Sequence, residues 1–161
     1  MMTKMTIVAA LGSGAIGGAF FAFSSFVMRA LGRLAPAEGI RAMQSINIVV
    51  INPVFLGVFV GTALVCAALA VLSIRSWSDA GSGLRLAGCV VYVVGAFAVT
   101  MWCNVPRNNA LAALPADTAD AAAYWARYLG EWTWWNHVRT AAGFAGSLLL
   151  VAAQLVARGA P

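Results

Sequence analysis

Four long apolar runs decide what this chain can fold into: residues 6–28, 53–74, 84–102 and about 138–156. The only charges inside those bounds are Arg85, second residue of the third run, and Arg139, second of the fourth. At about 1.5 Å per residue such runs reach roughly 30 Å, the thickness of a bilayer's hydrocarbon core. Backbone groups in hydrocarbon must be satisfied within the segment, which makes each run a helix. The expectation is an all-α fold, an integral membrane four-helix bundle forming a single membrane domain in the cell membrane. A mean hydropathy of +0.87, with 9% charged residues, supports it, since so few charges cannot cover a water-facing surface.

Four spans place both termini on one side and the connections 29–52 and 103–137 on the other. Residues 75–83 form only a short polar turn. Asn52 followed by Pro53 suits an N-cap with proline at the first helical position. Pro106 suits the exit of the third span. In 29–52 a helix should start at Pro36, with Ile40, Met43 and Ile46 on one face and Glu38, Arg41 and Gln44 towards water. From Asp117 a second helix should carry the stripe Ala121, Trp125, Tyr128, Trp132. Both are expected as amphipathic helices at the interface, on one side of the bundle. Gly14, Gly18 and Ala22, Gly57 and Gly61, and Gly143 and Ser147 offer small faces for close helix packing, but do not fix an oligomeric state.

All six asparagines, the only histidine and five of six tryptophans fall within 47–52 and 102–137. Polar groups at membrane depth point to function more often than elsewhere. The densest stretch is Trp132-Thr133-Trp134-Trp135-Asn136-His137-Val138-Arg139-Thr140. On a helical wheel Thr133, Asn136, His137 and Thr140 share an arc of about 100°, with Arg139 on the other side of Asn136. The second cluster, Asn104 to Asn109, adds Asn104, Arg107 and Asn108; Asn47 is a further candidate. Ser24 and Ser25, among Phe20, Phe21, Phe23 and Phe26, serve a cavity or plain packing equally well. Trp134 fits an interfacial tryptophan belt.

Other classes are set aside. The ten basic residues are scattered, so no nucleic-acid partner is expected. One histidine and dispersed acids supply no metal site, which needs three or four convergent ligands. Three cysteines at no ligand spacing read as small apolar residues or bystanders. Nothing calls for a cofactor.

Phe20 to Met28, Met43-Gln44-Ser45-Ile46-Asn47, Asn52-Pro53, Asn104 to Leu111 and Trp132 to Thr140 resemble the anthrone oxygenase-like family. The likeness covers nearly the whole chain. It implies a small four-span membrane protein whose fungal relatives oxidise anthrones to anthraquinones with O2 and no known cofactor. Arg29 stands where proline is expected, and Arg107, where an apolar residue is expected, bears on the charge of the substrate. Cofactor-free oxygenation needs a base and donors for a developing enolate oxygen. Together with the residue chemistry, this makes His137, Asn136 and Arg139 the expected catalytic residues, with Asn104, Arg107, Asn108, Trp132, Trp135 and Asn47 around a small apolar aromatic substrate. The alternative is a non-enzymatic membrane protein that binds a quinone, a lipid or another apolar ligand, or assists a partner.

Overall fold

The computed structural model describes residues 1–159, and among these the regular structure is entirely helical. The helices are α1 (Met2–Leu31), α2 (Pro36–Val49), α3 (Pro53–Arg75), α4 (Ser82–Ala112) and α5 (Ala119–Gly159). All but α2 are long and apolar enough to cross a membrane. The chain is thus a multi-pass membrane protein. α1 packs on α3 and α5, α3 on α4, and α4 on α5, which closes a ring of four spans in chain order.

Asn52 caps α3 as its sequence suggests, its side-chain oxygen accepting from the N–H groups of Val54 and Phe55 at 3.1 and 3.0 Å. At the other end Gly81 closes the short turn at φ +82°; a Cβ there would lie 2.5 Å from the Ala153 carbonyl oxygen. Trp77 marks that end of the bundle, and Trp102 and Trp134, 78% and 63% exposed, mark the other. From Ser82 to Trp102 the helix rises about 30 Å, so these rings sit where interfacial tryptophans belong.

Small residues bring α1 and α5 together. Ser13 donates to the Gly143 carbonyl at 2.8 Å, and Ser147 to that of Ala10 at 2.8 Å. A Cβ on Gly143 would stand 2.7 Å from the Gly17 Cα. Gly14 faces Ser147, whereas Gly18, Gly57 and Gly61 face open space and carry none of the packing their spacing suggested. Gly143→Ala should therefore destabilise by about 1–3 kcal/mol, because backbone blocks the added methyl. Gly57→Ala should be neutral or slightly stabilising, since alanine is the better helix former. Reversible unfolding in mixed micelles tests both; equal stability of the two variants would refute this packing.

The two amphipathic segments form on the expected side, but the joins differ from the sequence expectation. The segment beyond Asp117 is no separate helix: it is collinear with the fourth span in α5. Forty-one residues give roughly 60 Å, about twice the hydrocarbon thickness, so the first half of α5 rises out of the bundle. Neither does α4 stop at Pro106; it runs on to Ala112. A wide π turn over Thr100–Asn104 precedes the proline, with the Val105 N–H reaching back to the Thr100 carbonyl. Such a turn loosens the register where the ring would otherwise press on the preceding helix, so proline is tolerated.

A second core thus stands beyond the membrane bundle. Met28, Leu31, Ile40, Met43, Leu111, Ala121, Trp125, Tyr128 and Trp132 pack together, drawn from α1, α2, α4 and α5. Gln44, expected towards water, instead donates to the Leu111 and Leu114 carbonyls at 3.0 and 3.2 Å, satisfying the frayed end of α4. An exposed Arg41–Asp117 ion pair ties α2 to the turn before α5.

Candidate functional site

The polar residues meet where the two cores join, and helix irregularities aim them. α1 contains a π turn over Phe23–Val27, and α4 is π-helical over Val91–Ala98 and again over Thr100–Asn104. A π turn advances the register by an extra residue, and such turns recur at functional positions. Here they present Ser24 from one side and Thr100 and Asn104 from the other to the middle of α5.

On the α1 side Asn136 is fully buried. Its amide nitrogen donates to the Phe20 carbonyl and to Ser24 Oγ, both at 2.7 Å, while its oxygen accepts from Arg139 Nη2 at 2.6 Å. Because guanidinium only donates, the amide orientation is settled. Ser24 Oγ also lies 2.9 Å from His137 Nδ1 and 3.1 Å from Thr140 Oγ1, and Thr140 donates to the Asn136 carbonyl at 2.8 Å. One proton placement gives all these contacts a hydrogen. His137 Nδ1–H donates to Ser24, Ser24 donates to Thr140, and Thr140 donates to the Asn136 carbonyl. That placement leaves His137 Nε2 as the bare nitrogen, on the open edge of the ring.

Arg139 lies on nearly the opposite face of α5 from His137, about 160° away. It is only 4% exposed and is in no ion pair with the carboxylates of the described residues. Its guanidinium sits over the Phe20 ring at 4.2 Å and the Trp132 ring at 4.8 Å, and Nη1 donates to Thr100 at 3.3 Å. Desolvated cation–π contacts are worth about 2 kcal/mol each and offset part of the several-kcal/mol cost of burying a cation. Nε keeps no partner.

On the α4 side Asn104 donates to the Trp132 carbonyl at 3.2 Å. The Asn108 side-chain oxygen accepts from the Tyr128 hydroxyl at 2.7 Å and the Trp132 indole at 2.8 Å. Tyr128 stacks between Trp125 and Trp132. Asn47 lies beside the Tyr128 hydroxyl, its own buried amide nitrogen unpartnered. Arg107 pairs with Glu131 at 3.1 Å and donates to the Cys103 carbonyl at 2.7 Å, so its charge is matched within the chain.

The open space lies on the His137 side. A groove of about 540 Å³ runs between the end of α1 and α5, lined among others by Ser24, Met28, Leu129, Thr133 and His137. His137 is exposed on the bundle's outer surface and is not enclosed.

The structure thus joins His137, Asn136 and Arg139 into one chain through Ser24. It gathers Asn104, Asn108, Trp132 and Asn47 into a second cluster, on the other face of α5. Arg107 stands at that cluster's edge. Trp135 is half-buried and takes part in no aromatic pair or side-chain hydrogen bond of the described residues. Ser24 is the hub, and only its place in a phenylalanine-rich run hinted at it. Thr100 gave no signal, being one threonine in an apolar span. Among the described residues no three His, Cys, Asp or Glu side chains gather to hold a metal.

What these features define is a small four-span membrane protein with a histidine-bearing groove at one mouth. The chain matches the anthrone oxygenase family over residues 55–149, more than half its length, and belongs to that family. That stretch includes nearly all of α3, the whole of α4 and all of the α5 site residues. No curated protein and no solved structure matches the chain. Membership suggests an anthrone oxygenase-like role.

Proposed function

We propose that the protein is a cofactor-independent oxygenase of planar polycyclic or phenolic, anthrone-like substrates, working in the cell membrane. The observation that carries this reading is His137, exposed on the groove with its Nδ1 held 2.9 Å from Ser24 Oγ, which leaves Nε2 to serve as the base. An anthrone's methylene is acidic because its conjugate base is an aromatic enolate. Nε2 takes one methylene proton, and the enolate carbon adds O2 to give a hydroperoxide. Loss of the second proton from that carbon, with cleavage of the O–O bond, leaves the quinone carbonyl and water. The carbon is oxidised and O2 is reduced, one O2 per substrate.

Ser24 is then a positioning residue. Ser24→Ala should lower turnover by roughly tenfold to a hundredfold, by analogy with groups that orient a catalytic or ligating histidine. It should also move the imidazole away from the Nδ1–H tautomer, read directly by ¹⁵N NMR because the chain has one histidine. Ser24→Thr should restore both. An unchanged tautomer in the alanine variant would remove Ser24 from the mechanism.

The exposure of His137 favours a second reading, a non-enzymatic binder of a quinone or lipid. Oxygen uptake separates the two. Purified protein in detergent, given anthrone, should consume O2 and form anthraquinone in equal amounts, well above the protein-free rate. A shift in melting temperature with no uptake would establish the binder instead.

A further inference from the structure

The groove beside His137 carries a charge that the oxygenase reading does not use. Arg29, in the last turn of α1, and Arg33, just beyond it, line the groove with Met28, Gly32, Leu129 and Gly130. Both arginines are exposed and neither is in an ion pair. The groove lining contains no acidic residue. A helix C-terminus favours cations by about 0.3–1 kcal/mol, which accounts for a basic residue there but not for an open space behind it. Gly130 enlarges that space, since a Cβ added there would meet nothing within 4 Å. One end of the groove is therefore basic, its wall is apolar at Met28 and Leu129, and His137 completes it. Its volume falls within the range of pockets for drug-sized ligands.

The geometry points to an acidic aromatic ligand: a planar ring system bearing a carboxylate, with the anion between Arg29 and Arg33 and the rings along Met28 and Leu129. This deepens the oxygenase reading by naming the substrate class of the same groove. It differs from the expectation drawn from Arg107, whose charge Glu131 already answers. The arginine end of the groove lies just outside the level of Trp102 and Trp134, where a lipid phosphate is the competing anion.

Binding of anthraquinone-2-carboxylate and of its neutral carboxamide, followed by tryptophan quenching in non-ionic detergent, tests the assignment. The carboxylate should bind about tenfold tighter, the order expected of exposed ion pairs acting together, and salt should erode the difference. Arg29→Gln with Arg33→Gln should abolish the preference. Gly130→Leu, which adds bulk where there is room, should weaken both probes. Equal binding of the two probes to the unaltered protein would overturn the proposal, as would a preference that survives the double glutamine variant. So would a preference abolished in nanodiscs by phosphatidylglycerol but not by phosphatidylcholine, because the arginines would then be a headgroup site. Neutral anthrone keeps this separate from the oxygenase reading. If it is never turned over, catalysis fails while the charge preference still stands or falls by itself.

Discussion

His137→Gln is expected to cut anthrone turnover by about 10²–10⁴-fold, the usual worth of a general base. Insertion, folding and ligand affinity should be nearly unchanged. Glutamine retains hydrogen-bonding capacity towards Ser24 but has no basic nitrogen to turn to the groove. His137 is exposed, so truncation leaves no buried cavity behind. Steady-state oxygen uptake with both proteins at matched ligand occupancy is the measurement. Wild-type turnover by the glutamine variant would make His137 structural and place the base elsewhere.

How much of this was legible beforehand follows the physics of each feature. The spans were plain because hydrocarbon leaves a helix as the way to satisfy backbone, and 53–74 closely anticipates α3. The join within α5 was hidden: an interfacial helix and a helix rising from the bundle share the stripe Ala121, Trp125, Tyr128, Trp132. What separates them is whether the helix breaks between Trp132 and Val138, and no proline or glycine there forces a break. Pro106 misled for a related reason. A proline ends a regular α-helix, but the π turn ahead of it removes the conflict, and a periodicity of 3.6 carries no mark of a π turn.

The site was half legible. Residue type picked out His137, Asn136 and Arg139, and the wheel placed Arg139 on another face from His137, as it is. The wheel could not show that Asn136 bridges them, since that depends on where α1 presents Phe20 and Ser24. The amides of α4 were expected with His137 around one substrate. They turn instead to the far face of α5, where they hold Trp132 and Tyr128 in place.

The bridging position of Asn136 gives the largest expected effect on stability. Asn136→Leu removes two donated hydrogen bonds and, above all, the acceptor that Arg139 holds at 2.6 Å. A buried guanidinium would be left with Thr100 and two ring faces, and the loss should be about 3 kcal/mol. The remedy should be to remove the cation. Arg139→Met in the same chain fills the space between Phe20 and Trp132 with a flexible apolar side chain that favours aromatic contact. The double variant should recover much of the stability, because nothing charged is then stranded. Arg139→Met alone should change stability little: relief from desolvation opposes the lost ring contacts and the orphaned Asn136 oxygen. Reversible unfolding of the two single variants, the double variant and the parent gives the coupling energy directly. Additive losses would mean that Arg139 does not depend on Asn136, and that the chain from Arg139 through Asn136 and Ser24 to His137 is not an energetic unit.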